Sequence, residues 1–185
     1  FSDFNSWNHK ELSAKTNNTI PMFYSIYKSN LLKKKKENSE QFKYDLVIRS
    51  RFDSLYVESI PQKEILNIRT NKNNIFARSS ALDTGRLSCR NNFVSEIDDS
   101  PFVPDNFAFG SSEAMDDYSD VYLNLGSFLE SGLTAAESCL GRQLQEKSLA
   151  PLVSELEFLR MASWNDKGAT FIKNYQGEEC IVISK

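Results

Sequence analysis

The sequence predicts an α/β protein, with helices flanking a mixed, mostly parallel sheet in a layered sandwich. Short apolar runs alternate with stretches of helical periodicity, and glycine and proline punctuate the joins. A chain of 185 residues, 40% apolar and 12% aromatic, is long enough for one domain with a substantial core.

Residues 1–18 are polar, with Asn5, Asn8, Asn17 and Asn18, and read as loop. Thr19 can cap a helix and Pro21 suits its first turn. Met22, Phe23, Ile26, Tyr27 and Leu31 then recur at helical spacing, so a helix is expected from Pro21 to Lys33–Lys36. The four lysines read best as its solvated C-terminal turn, where cations suit the helix dipole. A patch for phosphate, or for peripheral contact with an anionic membrane, is the weaker reading.

Tyr44 to Ile48 is a compact apolar run, expected to be a strand buried on both faces. Ser54 to Val57 reads as a short return strand, Ile60 to Ile68 as a helix with Pro61 at its start, and Asn74 to Arg78 as a strand. Residues 79–104 form a long polar loop, of the kind that is usually functional or mobile. Asp105 to Gly110 is the next expected strand. A helix capped by Ser111 or Ser112 follows, with Met115, Tyr118, Val121, Tyr122, Leu125 and Leu129 on one face. Gly132 breaks it, and Thr134 to Glu137 opens a helix to about Lys147. Leu156 to Met161 fits strand or helix, and Cys180 to Ile183 fits a strand. The alternating Phe107 and Phe109 read as core, and Trp7 and Trp164 as packed or boundary residues.

Several function classes are disfavoured. A net charge of −3 gives no overall basic field, so nucleic acid is not an expected partner. No apolar run approaches the roughly eighteen residues that suggest a membrane span. Cys89, Cys139 and Cys180 are far apart and odd in number, which suggests free thiols in a reducing, cytoplasmic setting. The one histidine, His9, excludes mechanisms that need two, including most zinc hydrolases. Gly-x-Gly-x-x-Gly, Gly-Lys-Ser/Thr and Gly-x-Ser-x-Gly are all missing from the sequence. The chain opens at Phe1 with nothing like a signal peptide, and it is expected to be a fragment of a longer protein.

The chemistry concentrates where the Asp45–Ile48 run ends. Arg49, Arg51 and Asp53 alternate there, so in an extended chain they share a face. Guanidinium forks match phosphate oxygens, and a carboxylate suits Mg²⁺ or Mn²⁺, so the three together can form a diphosphate–metal site. Open α/β sheets bind ligands beyond the carboxyl ends of their strands. The alternative is an ion pair at the sheet edge, joining either arginine to Asp45 or Asp53.

The run from Ile20 to Tyr56, with Arg49-Ser-Arg-Phe-Asp53 at its heart, resembles a family of GT-A-type glycosyltransferases. Its members occur in bacteria and marine viruses and are related to lipopolysaccharide- and capsule-building enzymes. In that family a helix rich in Met, Tyr and Ser precedes a strand and then Arg-x-Arg-x-Asp, which looks like the counterpart of the GT-A Asp-x-Asp motif. Asp105 to Gly110, Met115, Tyr118 and the helix start at Glu137 also resemble it, so the likeness covers roughly residues 20 to 145.

The resemblance implies one GT-A-like domain over 1–185, with a metal and donor half at 20–78, an acceptor half at 105–148 and a C-terminal segment at 151–185. It implies that Asp53 binds Mn²⁺ or Mg²⁺ bridging the diphosphate of a nucleotide-sugar donor, with Arg49 and Arg51 at phosphate, ribose or a neighbouring acid. Asp105 would lie near donor sugar or glycan acceptor as a general base, or would only initiate a strand. Glu137 would reach acceptor or metal, although Thr134-x-x-Glu137 is also a capping box, and that role suffices. The family's Ser-Gly-Gln-x-Arg-Thr-like strand and turn, which helps build the nucleotide pocket, has no counterpart before Ile20. Arg86 and Arg90 could supply charge but do not match it. The expected protein is therefore a metal-dependent glycosyltransferase lacking its N-terminal nucleotide-binding strand and possessing reduced or no activity alone, or else a non-catalytic carbohydrate- or nucleotide-binding module.

Overall fold

The computed structural model describes residues 14–51, 54–56, 58–78, 102–156, 158–160, 170–173 and 179–182. Helix α1, Ala14–Glu40, starts before Thr19 and continues past the lysines, so the expected boundaries were too narrow at both ends. Pro21 lies inside it, where it removes one backbone hydrogen bond. Burial of Ile20 and Phe23 offsets that loss, and the Ser25 hydroxyl donates to the Pro21 carbonyl at 2.8 Å. The helix ends with Gln41 in the left-handed region (φ 55°) and the Phe42 N–H donating to the Glu37 carbonyl at 3.1 Å. This closure turns the chain back along the helix.

The returning chain meets the Glu37 side chain. The carboxylate, with no exposed side-chain surface, accepts from Lys43 Nζ at 2.9 Å and from the Tyr44 N–H at 3.2 Å. It also accepts from the Ser112 hydroxyl and lies 3.5 Å from Lys33 Nζ. Lys33 in turn reaches Asp116 at 2.8 Å, and Asn30 donates to the same Asp116 oxygen at 2.9 Å. Lys34 lies near Asp116 and Asp120, and Lys36 pairs with Glu40. The lysine run is thus neither a C-terminal turn nor a free basic patch: Lys33, Lys34 and Lys36 are held in intramolecular pairs.

Strand β1, Val47–Ser50, is followed by β2, Ser54–Tyr56, helix α2, Gln62–Thr70, and β3, Asn74–Arg78. Strand β4, Phe107–Gly110, leads into α3, Ser112–Ser119, α4, Val121–Glu130, and α5, Ala136–Glu146. The expected single helix after Gly110 is broken at Asp120, and Ser111 caps its first half by accepting from the Ala114 N–H at 3.1 Å. Gly132 (φ 93°) ends α4, with Leu133 N–H on the Phe128 carbonyl and Gly132 N–H on that of Leu129. The chain then forms β5, Ala150–Val153, β6, Phe158–Arg160, β7, Thr170–Lys173, and β8, Glu179–Val182. Two small sheets pair β2 with β6 and β7 with β8, both antiparallel.

The main sheet has the order β1-β4-β3-β5. It is mixed and flanked by helices, but it is not mostly parallel. Only β3–β5 is a parallel pair, while β4 is antiparallel to both β1 and β3. The reason lies in the long 79–106 connection. It leaves β3 at Arg78 and returns at Phe107, the residue opposite Arg78, so the chain re-enters from the end where it left. The both-faces-buried pattern expected of β1 belongs to β3 and β4. Strand β1 is an edge strand with alternating exposure, and Ile48 is 48% exposed.

Each face of β4 feeds a different core. Phe107 and Phe109 join Phe76, Ile68 and Leu156 on the α2 side, where the Phe76 and Phe109 rings stack at 5.3 Å. Ala108 faces the other core, made by Phe23, Met115, Tyr118, Val121, Leu125, Leu140 and their neighbours from the remaining helices. The phenylalanines are core, as their alternation suggests. On the α2 side the Glu64 carboxylate accepts from the Ser154 hydroxyl and the Glu155 N–H, each at 2.7 Å, and so fixes the chain leaving β5. No helix among the described residues is long and apolar enough to cross a membrane.

Burial pushes the Glu37 carboxyl up, but hydrogen bonds from Ser112, Lys43 and the Tyr44 N–H, with the Lys33 charge, outweigh it and hold the group at about 2, against an ordinary 4.5. A depressed folded-state value contributes stability above pH 4.5 that is lost as pH falls toward 2. Glu37→Gln should lower stability at neutral pH by about 1.5–3 kcal/mol. Urea titrations should also show its stability falling less than that of the wild type between pH 4.5 and 2. Parallel pH curves for the two proteins would refute this role.

Candidate functional site

Strand β1 is antiparallel to β4, β4 to β3, and β3 parallel to β5, so β1, β3 and β5 all finish at one end of the sheet. Arg51 leaves β1 there, Arg78 ends β3, Asp105 and Asn106 lead into β4, and Ser154 follows β5. This is the carboxyl end, where open α/β sheets offer their ligand crevice.

Arg49 sits in a row that makes room for it. It pairs with Ala108 of β4, which pairs with Ala77 of β3, so its cross-strand neighbours toward the helices are methyl groups. Beside it, α1, β1 and α3 enclose a pocket of about 590 Å³. Helix α1 contributes Met22, Ser25, Ile26, Ser29, Asn30 and Lys33, β1 and its exit contribute Val47 to Arg51, and α3 contributes Met115 and Ser119. Three cations and several hydroxyls therefore share the wall with an apolar strip. Among the described lining residues none is acidic.

The guanidinium of Arg49 has an unusual environment. Its Nη1 is buried and has no hydrogen-bond partner. An edge ion pair would have satisfied it, so that alternative finds no support at this nitrogen. Arg51, half-buried just past β1, does have an intramolecular partner. The Ser54 N–H donates to the Arg51 carbonyl at 3.3 Å, and the Ser50 hydroxyl bonds Tyr56. Phe52 and Asp53 lie outside the described residues, as do His9, Trp7, Trp164, Arg86 and Arg90.

Asp105 and Glu137 are brought to the same region. The Val103 N–H donates to the Glu137 carbonyl at 3.1 Å, which ties the approach to β4 to the first turn of α5. Both side chains are half-buried. Ala135, not Thr134, occupies the N-cap position of α5 and no side chain caps it, so the expected capping box does not form. Glu137 is engaged by another partner. Tyr118, fully buried on α3, registers Arg49, Asp105 and Glu137 together. Burial pushes its phenol up to about 12, the Arg49 charge opposes this, and the Asp105 and Glu137 charges add to it.

The structure thus gathers Arg49, Arg51, Asp105 and Glu137 around one end of the sheet. Lys33 carried a phosphate-patch reading only as the weaker alternative for the lysine run, and sequence reasoning did not find Asn30 and the serines of α1 as lining residues. Their only signal was a polar strip beside Met22 and Ile26 on a helix otherwise read for its apolar face. Among the described residues, no three His, Cys, Asp or Glu side chains converge as a metal-binding group. Cys139 is a free, buried thiol whose Sγ lies 3.5 Å from the Leu133 carbonyl, a packing role. No protein family, curated protein or solved structure matches the chain.

A buried guanidinium nitrogen without a partner lowers the stability of the ligand-free protein. Arg49→Met keeps an apolar stem and removes that nitrogen, so it should raise unfolding free energy by about 1–2 kcal/mol in urea titrations. A loss of stability would show instead that Arg49 holds the sheet edge.

Proposed function

We propose that the chain is a GT-A-type glycosyltransferase domain, moving a sugar from a nucleotide-diphosphate donor to a glycan-type acceptor. In this reading the α1–β1–α3 pocket receives the donor. One observation carries it: Lys33, Arg49 and Arg51 line one pocket whose described lining holds no acidic side chain, and although Lys33 is paired with Asp116 and Glu37 and Arg51 has a partner of its own, Arg49 Nη1 is left without one. A pocket of about 590 Å³ has room for a nucleotide-sized ligand. Its cationic wall suits the diphosphate, and the strip of Met22, Ile26, Val47 and Met115 suits a flat or apolar part of the donor.

Asp53, two residues after Arg51 in the sequence, would hold Mn²⁺ or Mg²⁺. Such ions commonly bind through one or two carboxylates together with substrate phosphates and water, so a single protein carboxylate fits. When bound, the ion neutralises charge on the leaving diphosphate. Arg49 and Arg51 would orient the phosphates, Asp105 would take the proton from the acceptor hydroxyl, and Glu137 would contact the acceptor.

A non-catalytic carbohydrate- or nucleotide-binding module is the second reading. The wholly non-acidic described lining favours it, because such a wall binds an anion without any group to activate a hydroxyl.

The test is nucleotide release from a panel of sugar nucleotides with Mn²⁺, using the full-length gene product. Turnover should fall about a hundredfold or more in Asp53→Ala. Asp105→Asn should lower kcat by about a hundredfold or more with KM little changed. Donor binding without turnover in the wild type would select the binding module. Neither binding nor turnover with any donor would sink both readings.

A further inference from the structure

The two edges of the main sheet are built differently, and the parity of the ladder shows how. The Ala150 N–H donates to the Asn73 carbonyl and the Ser154 N–H to the Ala77 carbonyl, each at 3.0 Å. Main-chain groups of successive strand residues point to opposite sides, so Ile75 and Ala77 face β5 while Phe76 and Arg78 face β4. Phe109 and Phe107, their partners, turn their backbone toward β3, and Ala108 and Gly110 turn theirs toward β1. Arg49 and Val47, opposite these two, direct their N–H and C=O groups at β4. Ile48 and Ser50 are left facing outward, where no strand among the described residues lies. On the far edge the same parity turns Pro151 outward, and proline has no N–H to leave unpaired. Strand β1 carries no such device. Ile48 and Ser50 are exposed, and among the described residues nothing bonds their outward main chain.

The pocket follows this edge. Every residue from Val47 to Arg51 lines it, although successive side chains of a strand point to opposite faces. A cavity over one face would not reach them all, whereas one running along the edge does. Helix α1 lines it with Met22, Ser25, Ile26, Ser29 and Lys33, spaced three or four apart, and so lies lengthwise beside it. We propose that the outward main chain of Ile48 and Ser50 is the subsite that reads the nucleobase of the donor. This deepens the diphosphate reading of the pocket and rests on it. The Ile48 carbonyl and the Ser50 N–H present an acceptor and a donor in succession, and every nucleobase carries a neighbouring donor and acceptor on its Watson–Crick edge. A base lying in the plane of the sheet meets both, with the apolar side chains of Met22 and Ile26 against one of its faces. Arg49 and Arg51, on either side of Ser50 in the chain, line the same pocket for the diphosphate. An added β-strand would use the same main-chain groups, but the cationic lining favours a nucleotide, whose phosphates answer it.

Isothermal titration of the full-length gene product with uridine, cytidine, adenosine and guanosine diphosphates, and with inorganic pyrophosphate, tests this in the presence of Mn²⁺. At least one nucleotide should bind about tenfold or more tighter than pyrophosphate. Ser50→Pro removes the outward N–H at an edge position that tolerates proline, and it should abolish that advantage. Ser50→Ala keeps the N–H and should retain it. If the proline variant does not fold, amide exchange in the wild type decides. The Ser50 amide should exchange freely in the ligand-free protein and slow about tenfold or more with the nucleotide, but not with pyrophosphate. A nucleotide that binds no tighter than pyrophosphate, or leaves the Ser50 amide unslowed, would overturn the base subsite and leave the diphosphate reading standing. A Ser50 amide already protected in the ligand-free protein would assign the β1 edge to another strand and also overturn it. No binding of any of these compounds would remove the diphosphate reading together with the subsite.

Discussion

The pocket exists because one buried carboxylate is shared by its three walls. Glu37 belongs to α1, catches Lys43 and the Tyr44 N–H on the way into β1, and accepts from Ser112 at the start of α3. Each wall alone could shift: a helix could slide by a turn and an edge strand could slip in register. A carboxylate has only two oxygens, and both are committed here to partners in different elements. Burying such a group is unfavourable by several kcal/mol unless its partners are well placed. The network therefore selects the one arrangement in which Ser112, Lys33, Lys43 and Tyr44 all meet. Its geometric specificity matters more to the site than any net stabilisation.

Strand β4 supplies the second constraint, through side-chain size. Phe107 and Phe109 fill the α2 side, where Phe109 stacks on Phe76 and Phe107 lies tilted against Tyr56 and Phe109. On the other side Ala108 and Gly110 keep the sheet surface low, and a Cβ at Gly110 would stand 3.2 Å from the Asn74 carbonyl and 3.3 Å from Ile75. Helix α3 can consequently approach closely enough for Met115 and Tyr118 to pack over the strand. A β-branched or aromatic residue at Ala108 would occupy the space beside Arg49. Size alternation along four residues thus separates a filled hydrophobic core from a face with room for a charged side chain.

Much of this was legible in local pattern. The strand at Asn74–Arg78, the helix after Pro61, the Ser111 cap and the Gly132 stop follow from short-range chemistry, and the structure contains them. The convergence expected at the end of β1 was of Arg49, Arg51 and Asp53, and Asp53 lies outside the described residues. What pattern could not convey was decided by distant partners. The apolar run at Tyr44–Ile48 looked central, but β4 covers only one edge of β1, and Tyr44 and Ile48 remain exposed. The lysines looked like a solvated turn because their acids, Asp116 and Asp120, are some eighty residues away. Sheet direction followed from where the 79–106 connection returns, which no periodicity within β4 records. Ala150–Val153 begins with a proline after its first residue and reads poorly as a strand, yet it pairs with β3 along its whole length.

The distribution of unsatisfied polar atoms bears on whether these features are a site or merely loose packing. The fold satisfies difficult groups elsewhere. Glu64 is held by Ser154 and the Glu155 N–H, and Gln143 donates to the Asp117 carbonyl at 2.7 Å while accepting from Asn124 at 2.9 Å. Among the described residues the buried side-chain atoms without partners are Arg49 Nη1, Ser54 Oγ, Tyr118 Oη and Asp120 Oδ1. Arg49 lines the pocket from β1, Ser54 opens β2, Tyr118 lies in the helix-side core, and Asp120 stands where α3 gives way to α4. Each orphan lowers the stability of the free protein, and a ligand oxygen that satisfies Arg49 Nη1 regains that loss only when bound. Of the four, Arg49 Nη1 is the one on the described pocket wall, and it is a donor held ready for an acceptor that the described residues do not supply.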